Sequence, residues 1–86
     1  MRSLSVIIPN YNGAALLREF FPSVLAALDN YAAPKELILA DDCSTDGGVA
    51  LASALAAGRS WVKTVVAERN GGFSSACNMG AAAASH

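Results

Sequence analysis

Two adjacent carboxylates, Asp41 and Asp42, end the apolar run Leu37-Ile38-Leu39-Ala40 and stand directly before Cys43-Ser44-Thr45-Asp46. A carboxylate in that place accepts hydrogen bonds from a base N–H or a sugar hydroxyl, or binds a cation. The plainer alternative is that Asp41 caps nearby backbone N–H groups while Asp42 stays in water. Two more segments share the design. Leu4-Ser5-Val6-Ile7-Ile8 runs into Pro9-Asn10-Tyr11-Asn12-Gly13, and residues 62–67 run into Glu68-Arg69-Asn70-Gly71-Gly72. In the first, a fixed proline φ, an aromatic ring and the amides of Asn10 and Asn12 can hold a planar base by stacking and edge hydrogen bonds, unless they simply make a turn. In the second, Gly71 and Gly72 let backbone approach a ligand closely ahead of a helix start that favours negative charge, unless they serve tight helix–sheet packing. Asn78, a poorer helix former than alanine, suggests a hydrogen bond from that helix back to the rim.

Three strand ends must converge for these residues to meet. Residues 4–8 are continuously apolar apart from Ser5, which marks an inner strand. Leu16, Leu17, Phe20, Phe21, Val24, Leu25 and Leu28 recur at spacings of three and four, the pattern of a helix with one apolar face. Pro22 predicts a kink or break near Phe21, and Asn30 and Pro34 mark the exit. Residues 36–40 form a second strand. Ser44 or Thr45 is placed to cap the helix after it, with Asp46 in its first turn as a dipole partner. That helix spans 49–57 and stops at Gly58. Residues 61–66 make a third strand and 73–85 a third helix of small side chains. The order β-α-β-α-β-α with short links predicts an α/β, three-layer, Rossmann-like parallel sheet of order 3-2-1, wound by right-handed crossovers. The outer edge of the first strand is left without a neighbour, which reads as half of a larger domain and as an edge that invites self-association.

Composition narrows the partners. The chain has 86 residues, 53% of them hydrophobic and 15% charged, with a formal net charge of -1, so it carries no field to attract nucleic acid. No apolar run approaches the ~20 residues of a membrane span, and no secretory leader is recognisable, so a cytosolic location is the default. Cys43 and Cys77 have neither CxxC spacing nor a nearby histidine, and read as two small, semi-buried thiols. Neither GxGxxG nor a GKS/GKT loop is present, which sets aside dinucleotide and P-loop sites.

The segments Ser5-Val6-Ile7-Ile8-Pro9-Asn10-Tyr11-Asn12, Glu36 through Gly47, and Asn70 through Gly80, in this order and spacing, resemble the amino-terminal half of family 2 glycosyltransferases of the GT-A fold. The resemblance implies that residues 1–86 are the nucleotide-binding part of a nucleotide-diphospho-sugar transferase domain, cut before its DxD-type motif. The complete protein would transfer a sugar from a nucleotide-sugar donor to a saccharide, lipid or protein acceptor, in cell-wall or polysaccharide synthesis, at the inner face of the membrane. Pro9 and Tyr11 would line the base pocket, with Asn12 beside them. Of the carboxylate pair Asp41 and Asp42, the second would bind base or ribose, while Asn70 and Gly71 would border the nucleotide. A divalent metal, Mn or Mg, is implied only for the complete protein, and no catalytic base or metal ligand is assigned in this chain. It should therefore be inactive alone. Two other classes compete: a non-catalytic nucleotide-binding or structural half-domain, and a receiver-like signalling module, which would need its acidic pair after the first strand, where this chain has Pro9-Asn10.

Overall fold

The computed structural model describes residues 3–68 and 71–84, the side chains of 73–75 excepted. Six elements alternate: β1 (Leu4–Asn10), α1 (Ala14–Asp29), β2 (Lys35–Asp41), α2 (Gly48–Leu55), β3 (Val62–Val66) and α3 (Phe73–Ala83). The strands form a parallel sheet in the spatial order β1-β2-β3, which is the expected order 3-2-1 read from the opposite edge. β2 lies between the other two and is buried from Glu36 to Asp41, so its sequence from 37 to 40 shows no polar alternation.

Side chains alternate between the two faces of the sheet. The register sets Val6 beside Leu37, Ile8 beside Leu39 and Asn10 beside Asp41. On this face Leu37 and Leu39 join Leu17, Phe21, Leu25 and Leu28 of α1 and Ala52 and Ala56 of α2 in the main core, with Val6 and Ile8 packed against it. α3 covers the other face across β1 and β2. Its Gly80 is buried, and a Cβ there would lie 2.5 Å from Ile7 Cγ2 and 3.2 Å from the Ala40 Cβ. A β-branched strand residue cannot yield that space easily, so the missing side chain lets α3 sit close on the sheet. The molecule thus has the expected three layers.

Three local expectations change. α1 runs unbroken through Pro22. A proline leaves the carbonyl four residues earlier without its N–H partner; here that is Arg18, and both Arg18 and Pro22 are exposed, so water can satisfy it while the buried Leu17-Phe21-Leu25-Leu28 stripe holds the helix. α2 is shorter than expected, ending at Leu55 with Ala56 as its C-cap, and Gly58 (φ +86°) forms the turn beyond. Its N-cap is Gly47, with no side-chain cap; Ser44 and Thr45 are engaged elsewhere.

Beside the end of β1, Ile8, Pro9, Gly13, Leu16, Phe20 and Val24 contribute to an open apolar groove of about 290 Å³. Among the described residues no strand pairs with the outer edge of β1. No helix of the described residues is long and apolar enough to cross a membrane.

Candidate functional site

Period-two alternation sends the two neighbouring carboxylates to opposite faces. Asp41 points with Leu37 and Leu39 toward α1 and α2, and Asp42 points toward α3. Both are buried, at 0% and 2% exposure, so Asp42 is not the solvated member that the plainer alternative made it. Asp41 Oδ1 accepts from Asn10 Nδ2 (2.8 Å) and from the Ser44 hydroxyl (2.7 Å), while Oδ2 accepts from the Ser44 N–H (2.8 Å). Asp42 works on the third strand end instead. Its Oδ1 accepts the Gly71 N–H at 2.7 Å and its Oδ2 the Gly72 N–H at 2.8 Å. Backbone bonds from Asp42 N to Asn10 O and from Ala67 N to Asp41 O, both 2.8 Å, extend the sheet ladder to the same level.

The loops after β1 and β2 are laced together by side chains. The Asn12 N–H donates to Ser44 Oγ (2.8 Å) and the Thr45 N–H to Asn12 Oδ1 (2.8 Å). Asn12 reaches this position with φ 49° and Cys43 with φ 62°; the left-handed region is a common place for asparagine and an uncommon one for cysteine. Asp46 lies before α2 rather than in its first turn. Its Oδ2 accepts the Ala14 N–H and its Oδ1 the Gly48 N–H, each at 2.9 Å, so one carboxylate satisfies the first amide of α1 and the first amide of α2. Both helix starts carry partial positive charge that favours an anion.

The Ala14 N–H, supported by that of Gly48, holds the Asp46 carboxyl below the usual carboxylate range. Asp29, forked onto Arg59 at 2.7 and 3.0 Å, is lowered by that side-chain hydrogen bond. A carboxyl depressed in the folded state stabilises fully above its unfolded pKa of about 3.9, and that stability is lost as pH falls through the folded value. Urea titrations at a series of pH values should therefore show an acid limb of falling stability that Asp46→Asn and Asp29→Asn each make shallower. An unchanged slope in both variants would contradict these pairings.

Pro9 is half-buried, Asn12 and Gly71 are exposed, and Tyr11 is 55% exposed. Pro9, Tyr11, Asn12, Asp41, Asp42 and Gly71 therefore occupy one connected rim. Asn70 lies outside the described residues. Asn78 is exposed on α3, and no hydrogen bond from it to the rim is present among the described residues. Sequence reasoning offered the Asn10 amide to a base rather than to Asp41, read Ser44 and Thr45 only as helix caps, and gave Asp46 a different task. The signal for Asn10 was available, since a strand pairing in register with Asp41 puts a side chain of β1 beside it.

The divalent ion implied by the resemblance does not fit these side chains. Among the described residues no three His, Cys, Asp or Glu side chains gather as ligands, and every carboxylate oxygen of Asp41 and Asp42 already faces an N–H or O–H donor.

Against known families, the one described as Glycosyl transferase family 2 matches residues 5–86, which takes in all three strand ends and every helix. A comparison with curated proteins gives no match.

Proposed function

Because the chain belongs to glycosyl transferase family 2, we propose that this rim takes the nucleotide of a nucleotide-diphosphate sugar, from which the complete protein transfers the sugar to a saccharide, lipid or protein acceptor. The observation that carries the reading is the union of three strand ends by side-chain hydrogen bonds, with the largely exposed ring of Tyr11 left standing on the rim. An exposed aromatic ring at a strand end is a stacking surface for a base. The half-buried Pro9 and the exposed Asn12 flank it in sequence, and the exposed Gly71 precedes α3.

Neither Asp41 nor Asp42 is free to act as a base toward an acceptor hydroxyl, because each is engaged by internal donors. The acidic metal motif and the catalytic carboxylate belong, in this reading, to a further segment of the complete protein. The 86-residue chain would then bind donor without transferring sugar.

Calorimetry with uridine and thymidine diphosphates tests this. A base–aromatic stack is worth about 1–3 kcal/mol by alanine substitution, so Tyr11→Ala should weaken binding roughly 5- to 150-fold. The melting temperature should stay put, because the ring is mostly in solvent. Absence of binding to either nucleotide, or equal affinity with and without the ring, would overturn the site.

A further inference from the structure

We infer that the loop after β2 positions the Tyr11 ring, and that Asn12, pinned to Ser44 and Thr45, is a positioning residue that sets nucleotide affinity through Tyr11. The ring is 55% exposed, so packing holds little of it, and its direction follows from the backbone that carries it. That backbone is tied down at every second residue. Asn10 Nδ2 donates to Asp41 Oδ1 (2.8 Å), the Asn12 N–H to Ser44 Oγ (2.8 Å), and the Ala14 N–H to Asp46 Oδ2 (2.9 Å). Asn12 is held twice, because its Oδ1 also accepts the Thr45 N–H at 2.8 Å. Its φ of 49° lies in the left-handed region that asparagine tolerates better than most residues, and the two bonds to the second loop fix it there. The turn is also tight: a Cβ on Gly13 would stand 2.5 Å from Asn10 Oδ1, so the chain closes back over the first pinned residue. Tyr11 therefore stands between two anchored asparagines, with its ring outside every one of these bonds.

A stack on a base demands a ring at one tilt, and an aromatic side chain has only two χ angles left to fix once its backbone is set. Preorganising that backbone lowers the ordering cost of binding, and loosening the loop restores the cost without removing a contact. The effect on affinity rests on the nucleotide reading above; the effect on the loop does not. Nitrogen relaxation of the Tyr11 amide, in the full chain without ligand, reads the loop. Its order parameter should be about 0.85 in wild type, as in rigid backbone, and below about 0.6 in Asn12→Gly and in Ser44→Ala. The first variant removes the Oδ1 acceptor while allowing the left-handed φ. The second removes the acceptor of the Asn12 N–H and leaves residues 10–14 unchanged. Asn12→Asp keeps an acceptor oxygen toward the Thr45 N–H and should keep the order of wild type. Wild-type order at Tyr11 in either disrupting variant would overturn the inference.

Binding is then measured with uridine diphosphate. Asn12→Gly should weaken it about 3- to 10-fold, the size of an ordering cost for one side chain, with the amides of β2 and α1 still protected from hydrogen exchange. In a Tyr11→Ala background the same change should cost less than about twofold, because two changes to one unit do not add. Fully additive losses would show that Asn12 acts on the nucleotide by itself and would refute the positioning role. If wild type does not bind, the nucleotide reading falls and the affinity step with it, and the order parameters still decide whether the second loop holds Tyr11.

Discussion

Asp41→Ala is expected to destabilise the fold by about 2–3 kcal/mol, since a buried donor left without an acceptor costs about 1–3 kcal/mol and the half-buried Ser44 donors, within reach of water, cost less. Three donors lose their partner at once: the Asn10 amide, the Ser44 N–H and the Ser44 hydroxyl. Only the Asn10 amide has a second acceptor nearby, Ser44 Oγ at 3.3 Å, and that hydroxyl is itself held by the contact being removed. A domain holds roughly 0.05–0.15 kcal/mol of stability per residue, so at 86 residues the substitution removes a large share of the whole. Urea unfolding followed by circular dichroism reads it directly. Asp41→Asn keeps one acceptor oxygen and should fall between wild type and alanine. A midpoint for Asp41→Ala within the range of ordinary surface changes would mean that the network around it carries no stability.

A second large effect separates two neighbouring aromatic residues. Phe21 is 1% exposed and lies in the core between α1 and the sheet, whereas Phe20 is 55% exposed. Phe21→Ala should destabilise by about 3–5 kcal/mol, the transfer term of a buried ring plus the cavity it leaves. Phe20→Ala should stay within about 0.5 kcal/mol, as for most surface substitutions. Thermal melts of the two variants side by side test the helical phase of α1, and equal losses would place the apolar stripe one residue off.

Much of this architecture was legible because it follows from periodicity. The three-and-four spacing from Leu16 to Leu28 marks an apolar side of α1, although Leu16 and Phe20, read as part of that face, are 61% and 55% exposed, and the unbroken apolar stretch 37–40 marks β2 as a buried strand. The glycine pair before α3 and the carboxylates after β2 were recognisable as rim residues by their place at strand ends. What was not legible depends on contacts between residues distant in sequence. The Asp42 carboxylate meets the Gly71 and Gly72 amides, 29 and 30 residues on, a contact that no local pattern announces. Ser44 looked like a helix cap by local chemistry, but the Asp41 carboxylate competes for its hydroxyl, and the Asn10 and Asn12 donors for its oxygen. Pro22 was expected to kink or break α1, and the helix continues through it because packing on the opposite side outweighs one lost hydrogen bond.

The opposite facing of Asp41 and Asp42 makes the length of β2, and not only its composition, a quantity the site depends on. Deleting one residue between Lys35 and Asp41 while the pairing upstream is kept would exchange the faces of everything that follows. Asp41 would be carried to the α3 side, and Asp42 would turn toward Asn10. The aspartates are chemically alike, so such a chain would still present a carboxylate to each layer, but each would reach its layer at a different depth. The asparagine and serine donors, and the glycine amides, would then be out of reach. A two-residue deletion restores parity and still draws the pair back from the mouth of the sheet. Changes in length are tolerated where no such alternation is counted, in surface connections such as the segments around Ala32 and Ser60, both exposed.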